Sequence, residues 1–171
     1  EYIRPTLTFM LATIFISLAL VVTIYPIGIF LLTGLNPFKF AKKIFKVGMF
    51  AAATQSSAAT LPLNRKTCIE ELGCSREISS FVLPMGMTIN MNGTTAMHMV
   101  AIPVAGTTLI FVIMSGLGLS SDLCMVAYAL VLAISYLPGM AVITLNVVGD
   151  AATTVIVSHK ENELDKDVYN S

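Results

Sequence analysis

Between Glu77 and Asp122 the chain carries no Asp, Glu, Lys or Arg. A charge-free run of that length is suited to lipid, where backbone polar groups must be satisfied internally and helices are the default solution. Inside it lies a polar, glycine-flanked patch, Gly86-Met87-Thr88-Ile89-Asn90-Met91-Asn92-Gly93-Thr94. At membrane depth Asn and Thr side chains are costly unless they bind something or one another. A helix broken by Gly86 and Gly93 is expected here. Such a break frees backbone carbonyls, which suit a hard cation such as Na⁺. The patch therefore reads as an ion and substrate site whose walls the rest of the chain supplies.

Composition supports the membrane setting. Hydrophobic residues make up 56% of the chain, charged residues only 12%, and the mean hydropathy is +0.82. Soluble domains carry roughly twice that share of charge, about 25%. The formal net charge of zero offers no electrostatic basis for binding nucleic acid. Cys68, Cys74 and Cys124 have no metal-ligand spacing and read as free thiols. The chain begins at Glu1 without a methionine, as a fragment or processed piece would.

Taken in order, Thr6 to Gly34 holds no charge, and Leu11 to Leu32 is long enough to span a bilayer. Pro26 predicts a kink there rather than a stop. Asn36-Pro37 signals a turn, and Lys39, Lys42, Lys43 and Lys46 place this end in the cytoplasm by the positive-inside rule. Val47 to Asn64 is too short and too polar for a comfortable span. Its hydroxyl-rich middle, Thr54-Gln55-Ser56-Ser57-Ala58-Ala59-Thr60, suggests either a re-entrant hairpin tip or a small-residue helix-packing face. Glu70 and Glu71 are adjacent, so on a helix they do not face each other as a catalytic pair would.

His98 is the only titratable group near the patch and reads as a hydrogen-bonded structural residue or a proton relay. Ile102-Pro103-Val104-Ala105-Gly106 forms a second small, Pro-broken tip, followed by an apolar arm, Thr107 to Leu119. Leu123 to Ser158 is the longest apolar stretch, with Pro138-Gly139 as a hinge. Asn146 and Asp150, four apart, share a helical face. A buried carboxylate needs a partner, and with no Arg or Lys nearby a bound cation is the simplest one. The other reading leaves Asp150 solvated at the interface. The domain expectation is a membrane core over 1–159 and a polar, cytoplasmic, disordered tail over 160–171.

These residues resemble a family. Thr54-Gln55-Ser56-Ser57-Ala58-Ala59-Thr60-Leu61-Pro62, Asn90-Met91-Asn92-Gly93-Thr94, Ala101-Ile102-Pro103-Val104-Ala105-Gly106 and Asn146-Val147-Val148-Gly149-Asp150 occur in an order that resembles the sodium:dicarboxylate symporters, which include glutamate and neutral amino-acid transporters. The similarity covers the C-terminal transport core of that family. It implies an all-α integral membrane fold of transmembrane helices, re-entrant hairpins and a broken helix, with three crossings here. It implies Na⁺ ligands at Gly86, Asn90, Asn146 and Asp150, a second Na⁺ at Thr88, and substrate contacts at Ser56, Ser57, Thr94 and Asn146. The expected location is multi-pass in the plasma or cell inner membrane, among lipid, in a homotrimer where scaffold helices are present.

Three departures shape the functional reading. Asn92 stands where the family has Asp, which weakens a further sodium site. The family's substrate-reading Asp and Arg precede Asn146 by seven and four residues, and those positions here hold Gly139 and Val142. Without the guanidinium nothing forks onto a side-chain carboxylate, so acidic amino acids are not the expected solute. Only Thr95 to Ala101 separates two motifs that the family holds further apart, which leaves one continuous crossing from Glu77 to Asp122. The expected function is sodium-coupled secondary transport of a small solute of the amino-acid or dicarboxylate class by alternating access. The alternative is a transport-incompetent paralogue that binds or regulates full-length relatives. An enzyme is not expected: Ser56 or Ser57 with His98 lacks a third group to orient the base.

Overall fold

Short polar residues set the boundaries of the helices. The computed structural model describes residues 3–95 and 122–171. Helix α1 (Ile3–Thr33) contains Pro26 without stopping there. Asn36 then caps α2 (Pro37–Thr54), accepting from the Phe38 amide at 2.9 Å, with Pro37 in the first turn where its missing N–H costs nothing. Ser56 caps α3 (Ser57–Glu70) and Ser75 caps α4 (Arg76–Ile89), each accepting an amide three residues on. Helix α5 (Asp122–Lys160) runs through Pro138. Asp165 caps the short α6 (Lys166–Asn170). One isolated antiparallel bridge, Cys74 to Leu164, is the only extended pairing among the described residues.

Two stretches among the described residues are long and apolar enough to cross a membrane, Met10–Thr33 and Tyr136–Lys160. They differ in surroundings. Helix α1 presents Leu11, Phe15, Val22 and Leu31 outward, each about two-thirds exposed or more. Helix α5 is the hub: Val147, Val148, Ala151, Ala152 and Val155 are buried against all four preceding helices. Its small residues let the neighbouring backbones approach closely.

Helices α2 and α3 form an antiparallel hairpin. At the tip the Thr54 and Thr60 hydroxyls lie 3.3 Å apart, and at the base Lys46 pairs with Glu71. The reversal takes two residues, and Gln55 closes α2 in the left-handed conformation (φ 49°), its amide donating to the Ala51 carbonyl at 2.8 Å.

The α4 break corrects the expectation that Gly86 and Gly93 make it. Helix α4 ends at Ile89, Asn90 and Met91 are non-helical, and helical backbone resumes at 92–95. Gly86 lies within α4 and its carbonyl accepts the Asn90 amide at 2.7 Å. The glycines serve close approach, described below.

The tail is a second correction. Residues 164–170 are folded back onto the hairpin base, not disordered. The Asp165 amide donates to the Gly73 carbonyl at 2.8 Å. Gly73 has φ +72°, and a Cβ there would strike the Asp165 carbonyl, so glycine is required twice over. Tyr169 is fully buried and donates to the Asn36 carbonyl at 3.0 Å. Lys43 donates to the carbonyls of Glu71, Val168 and Tyr169 at 2.7–2.9 Å, and Lys39 to that of Asn170. Part of the basic cluster thus caps the C-terminal ends of α3 and α6, where cations are favoured. His98, the 101–106 tip, the 107–119 arm and the 95–101 link fall largely or wholly outside the described residues.

Burial, and secondarily the Cys74 sulfur, push the Tyr169 phenol up from 10.0 to about 12. A folded-state pKa above the unfolded one means that the stabilisation is fully present below about pH 10 and is lost as pH rises through about 12. At about 1.4 kcal/mol per unit that amounts to roughly 2–3 kcal/mol. The thermal midpoint of the wild type should fall over this window. Tyr169→Phe should remove this component of the pH dependence, with tyrosinate absorption reporting the titration.

Candidate ion and substrate site

The polar face of α5 meets the break in α4. Asn146 and Asp150, one turn apart, are each 3% exposed. Helix α4 passes antiparallel to α5, so Gly86 lies against Asp150 and Asn90 reaches both Asn146 and Asp150. Glycine is needed for that approach. A Cβ on Gly86 would sit 2.5 Å from Asp150 Oδ1, and one on Gly93 would sit 2.5 Å from the Val142 carbonyl oxygen. A Cβ on Gly149 would meet Asn90 Nδ2 at 2.6 Å and the Tyr25 hydroxyl. Three glycines thus open the space in which three polar side chains converge.

The hydrogen bonds fix the orientation of each group. Asn90 Nδ2 donates to Asp150 Oδ1 at 2.8 Å and to the Asn146 carbonyl at 3.3 Å. Asn146 Oδ1 accepts from the Gly93 amide at 2.7 Å, and Asn146 Nδ2 donates to Thr94 Oγ1 at 3.3 Å. An amide in the first turn after the break is thereby satisfied by a side chain of another helix. Asp150 has no Lys or Arg partner among the described residues, where the ion pairs are Lys46–Glu71 and Lys66–Glu70. A buried carboxylate held by one neutral amide is electrostatically incomplete, and a cation taking amide, carbonyl and carboxylate oxygens would complete it.

The remaining expected residues are placed differently. Asn92 is exposed and lies near Tyr25 of α1, at the edge of the cluster. The exposed Thr88 returns its hydroxyl to the Met85 carbonyl at 2.8 Å. Ser56 is engaged as the α3 cap and Ser57 opens that helix, both half-buried. Among the described residues no hydrogen bond joins either serine to Thr94 or Asn146.

Three contributors were not singled out in the sequence. Tyr25 packs on Gly149. The buried Asn64 of α3 donates to the Val147 carbonyl at 3.1 Å and so ties the hairpin to α5. Gln55 donates from Nε2 to the Tyr136 carbonyl at 2.9 Å. A phenol in an otherwise apolar span, and an Asn four residues after Thr60, were the available signals.

The described residues thus form a helical fold with two candidate spans and a buried carboxylate beside a helix break. The family model described as the sodium:dicarboxylate symporter family matches residues 1–102, and the chain belongs to that family. Its members are transporters, not enzymes, and the chain is a multi-pass membrane protein. It is similar to excitatory amino acid transporter 2 of Homo sapiens, 30% identical over 200 residues, covering 96% of this chain and 34% of the relative. It is also similar to the L-cystine uptake protein TcyP of Bacillus thuringiensis (strain Al Hakam), 34% identical over 170 residues, covering 81% of this chain and 37% of the relative. The chain spans about a third of the length of these curated relatives. The alignment to the human relative is longer than the chain, so that protein carries residues inside the matched region that this chain lacks.

Gly86→Ala should cost about 1–3 kcal/mol, because the methyl displaces Asp150 from a packed interior. Gly28 provides the control: nothing lies within 4 Å of a Cβ there, so Gly28→Ala in the same apolar fold should be neutral or stabilising by up to about 1 kcal/mol. Thermal midpoints of the two variants in one detergent decide it.

Proposed function

We propose that this chain forms the ion- and substrate-binding core of a sodium-coupled secondary transporter. In this reading it moves a small solute of the amino-acid or dicarboxylate class by alternating access. The observation that supports it most is the convergence of Asn90, Asn146 and the unpaired Asp150 on the α4 break. Na⁺ is a co-substrate here, held by oxygens of Gly86, Asn90, Asn146 and Asp150, with Asn92 at the margin and Thr88 assigned to a second ion. Neutralising Asp150 with a cation removes the penalty of a buried charge, which couples ion occupancy to the packing of α4 on α5.

The solute is assigned to Ser56 and Ser57 of the hairpin tip and to Thr94 and Asn146. Thr94 and Asn146 are joined to each other and to the Gly93 amide, so a change in cation occupancy at Asp150 reaches them through Asn90. With Gly139 and Val142 on the same face of α5, the wall carries no charge that would select an acidic side chain. The α2–α3 hairpin is read as re-entrant. Residues 1–159 are read as the transport core and 160–171 as the cytoplasmic segment, with lipid around the core and a trimer as the assembly.

Na⁺ binding by the purified chain in lipid nanodiscs tests this. The wild type should bind Na⁺ saturably and gain thermal stability with Na⁺ but not with choline. Asp150→Asn should lose at least tenfold in Na⁺ affinity, and in Na⁺-free buffer it should be more stable than wild type, since an unpaired buried charge is gone. Equal indifference to Na⁺ in both proteins would sink the transporter reading and favour a transport-incompetent partner of full-length relatives.

A further inference from the structure

Helices α1 and α2 both pack on α5 and part above it, and the gap between them is an apolar groove of about 700 Å³. Buried Ile44, Gly48 and Val148 form its floor, and exposed Val22, Phe45 and Met49 form its walls. No charged side chain lines it. Thr144 supplies the one hydroxyl, which is taken up by the Met140 carbonyl at 2.8 Å. Such a lining takes hydrocarbon and rejects a polar solute. The groove follows α1 from Ile14 to Pro26 and α2 from Pro37 to Ala52, about 18 to 23 Å by the helical rise. That is enough for one acyl chain running from the interface to the bilayer middle, about 15 Å away.

A second cleft, of about 290 Å³, lies on the neighbouring side of α2 and is lined by Lys39, Lys42, Lys43, Lys46 and Glu71. Three of the four lysines are engaged. Lys39 donates to the Asn170 carbonyl, Lys43 to three carbonyls, and Lys46 pairs with Glu71. Lys42 is exposed and makes no hydrogen bond or ion pair among the described residues. On the helix it follows Phe38 by four residues and precedes Phe45 by three and Met49 by seven, so the four share a face. Phe38, Phe45 and Met49 are 82%, 66% and 58% exposed, and all three line the groove. The free ammonium therefore stands at the border between the polar cleft and the apolar groove.

We propose that this border binds one anionic phospholipid, with its phosphate on Lys42 and an acyl chain in the groove between α1, α2 and α5. The occupant must be apolar over about 20 Å and negative at one end. In a bilayer that describes an anionic phospholipid, and basic pockets between membrane helices suit such headgroups. Lys42 can lay its methylene stem along the phenylalanines and turn its ammonium to the phosphate. A partner helix would fill the groove but leave Lys42 uncompensated. The chain so bound bridges α1 to the α2–α3 hairpin. Leu137, Ala141, Thr144 and Val148 line the groove from the face of α5 opposite Asn146 and Asp150, so the site is separate from the ion cluster and independent of the transporter reading.

The test uses the purified chain in mixed micelles, with phosphatidylglycerol and phosphatidylcholine of equal chain length as probes. Native mass spectrometry should show one phosphatidylglycerol retained per chain, preferred about fivefold or more over phosphatidylcholine, the scale of one lysine facing an anionic headgroup. Lys42→Ala should abolish that preference. Lys66→Ala, the same change of charge on the exposed side of α3, should keep it. Ala41→Phe adds bulk at an exposed groove position and should weaken retention of both lipids alike. Phosphatidylglycerol with a photoreactive group at the end of its acyl chain should label wild-type α1 and α5 along the groove. Equal retention of the two lipids by wild type, a preference that survives Lys42→Ala, or labels outside the groove overturns the proposal. So does a dimer that Ala41→Phe dissociates, which gives the groove to a second copy of the chain. The photolabel is read on the wild type, so it decides the matter even where Ala41→Phe fails to fold.

Discussion

A single buried carboxylate governs this structure. Asp150 is 3% exposed, lies on the most heavily packed helix and has a neutral amide as its side-chain partner. Burying a charge in that way is unfavourable unless something of opposite sign or several donors share the site. The surrounding features follow from it. Helix α4 breaks where Asn90 must turn toward the carboxylate. Gly86 and Gly149 are bare so that backbone and amide can come close, and Asn146 occupies the next turn of the same face.

The hairpin and the tail hold α5 in place from the other side. Asn64 binds the Val147 carbonyl from α3, Gln55 binds the Tyr136 carbonyl from the tip, and Thr144 donates to the Gly48 carbonyl of α2 at 3.2 Å. These are polar ties between helices whose contacts are otherwise apolar. In lipid, where there is no hydrophobic drive between helices, such ties and small-residue packing carry much of the specificity. At the base, Lys43 gathers three carbonyls and Tyr169 fills the space between α2 and the tail. The hairpin is thus anchored at its base, and at its tip Gln55 hydrogen-bonds to α5.

Much was legible from spacing. Asn146 and Asp150 had to share a face because they are four apart on a helix. Of the polar patch, Asn90 and Thr94 turn toward that face while Thr88 and Asn92 are exposed. Asn36-Pro37 was legible as a turn, and its asparagine offers a side-chain acceptor to the first amides of α2, which the helix leaves unpaired. The errors have physical causes as well. Gly86 and Gly93 were read as breakers because glycine weakens helices, yet tertiary packing kept Gly86 helical and used its missing side chain for contact. The tail was read as disordered because it is polar. One aromatic, Tyr169, and the free carbonyls that lysines could reach were enough to order it.

The sequence by itself determined the medium, the helical content, the polar patch and the pairing of Asn146 with Asp150 on one face, because these depend on local composition and on the 3.6-residue period. The tertiary structure decided which helix faces which. It placed Asn90 on Asp150, Tyr25 on Gly149 and Gln55 beside Gly139, contacts between residues 60, 124 and 84 positions apart. No periodicity along a chain encodes such neighbours. They arise when separate helices compete to bury the same few polar groups.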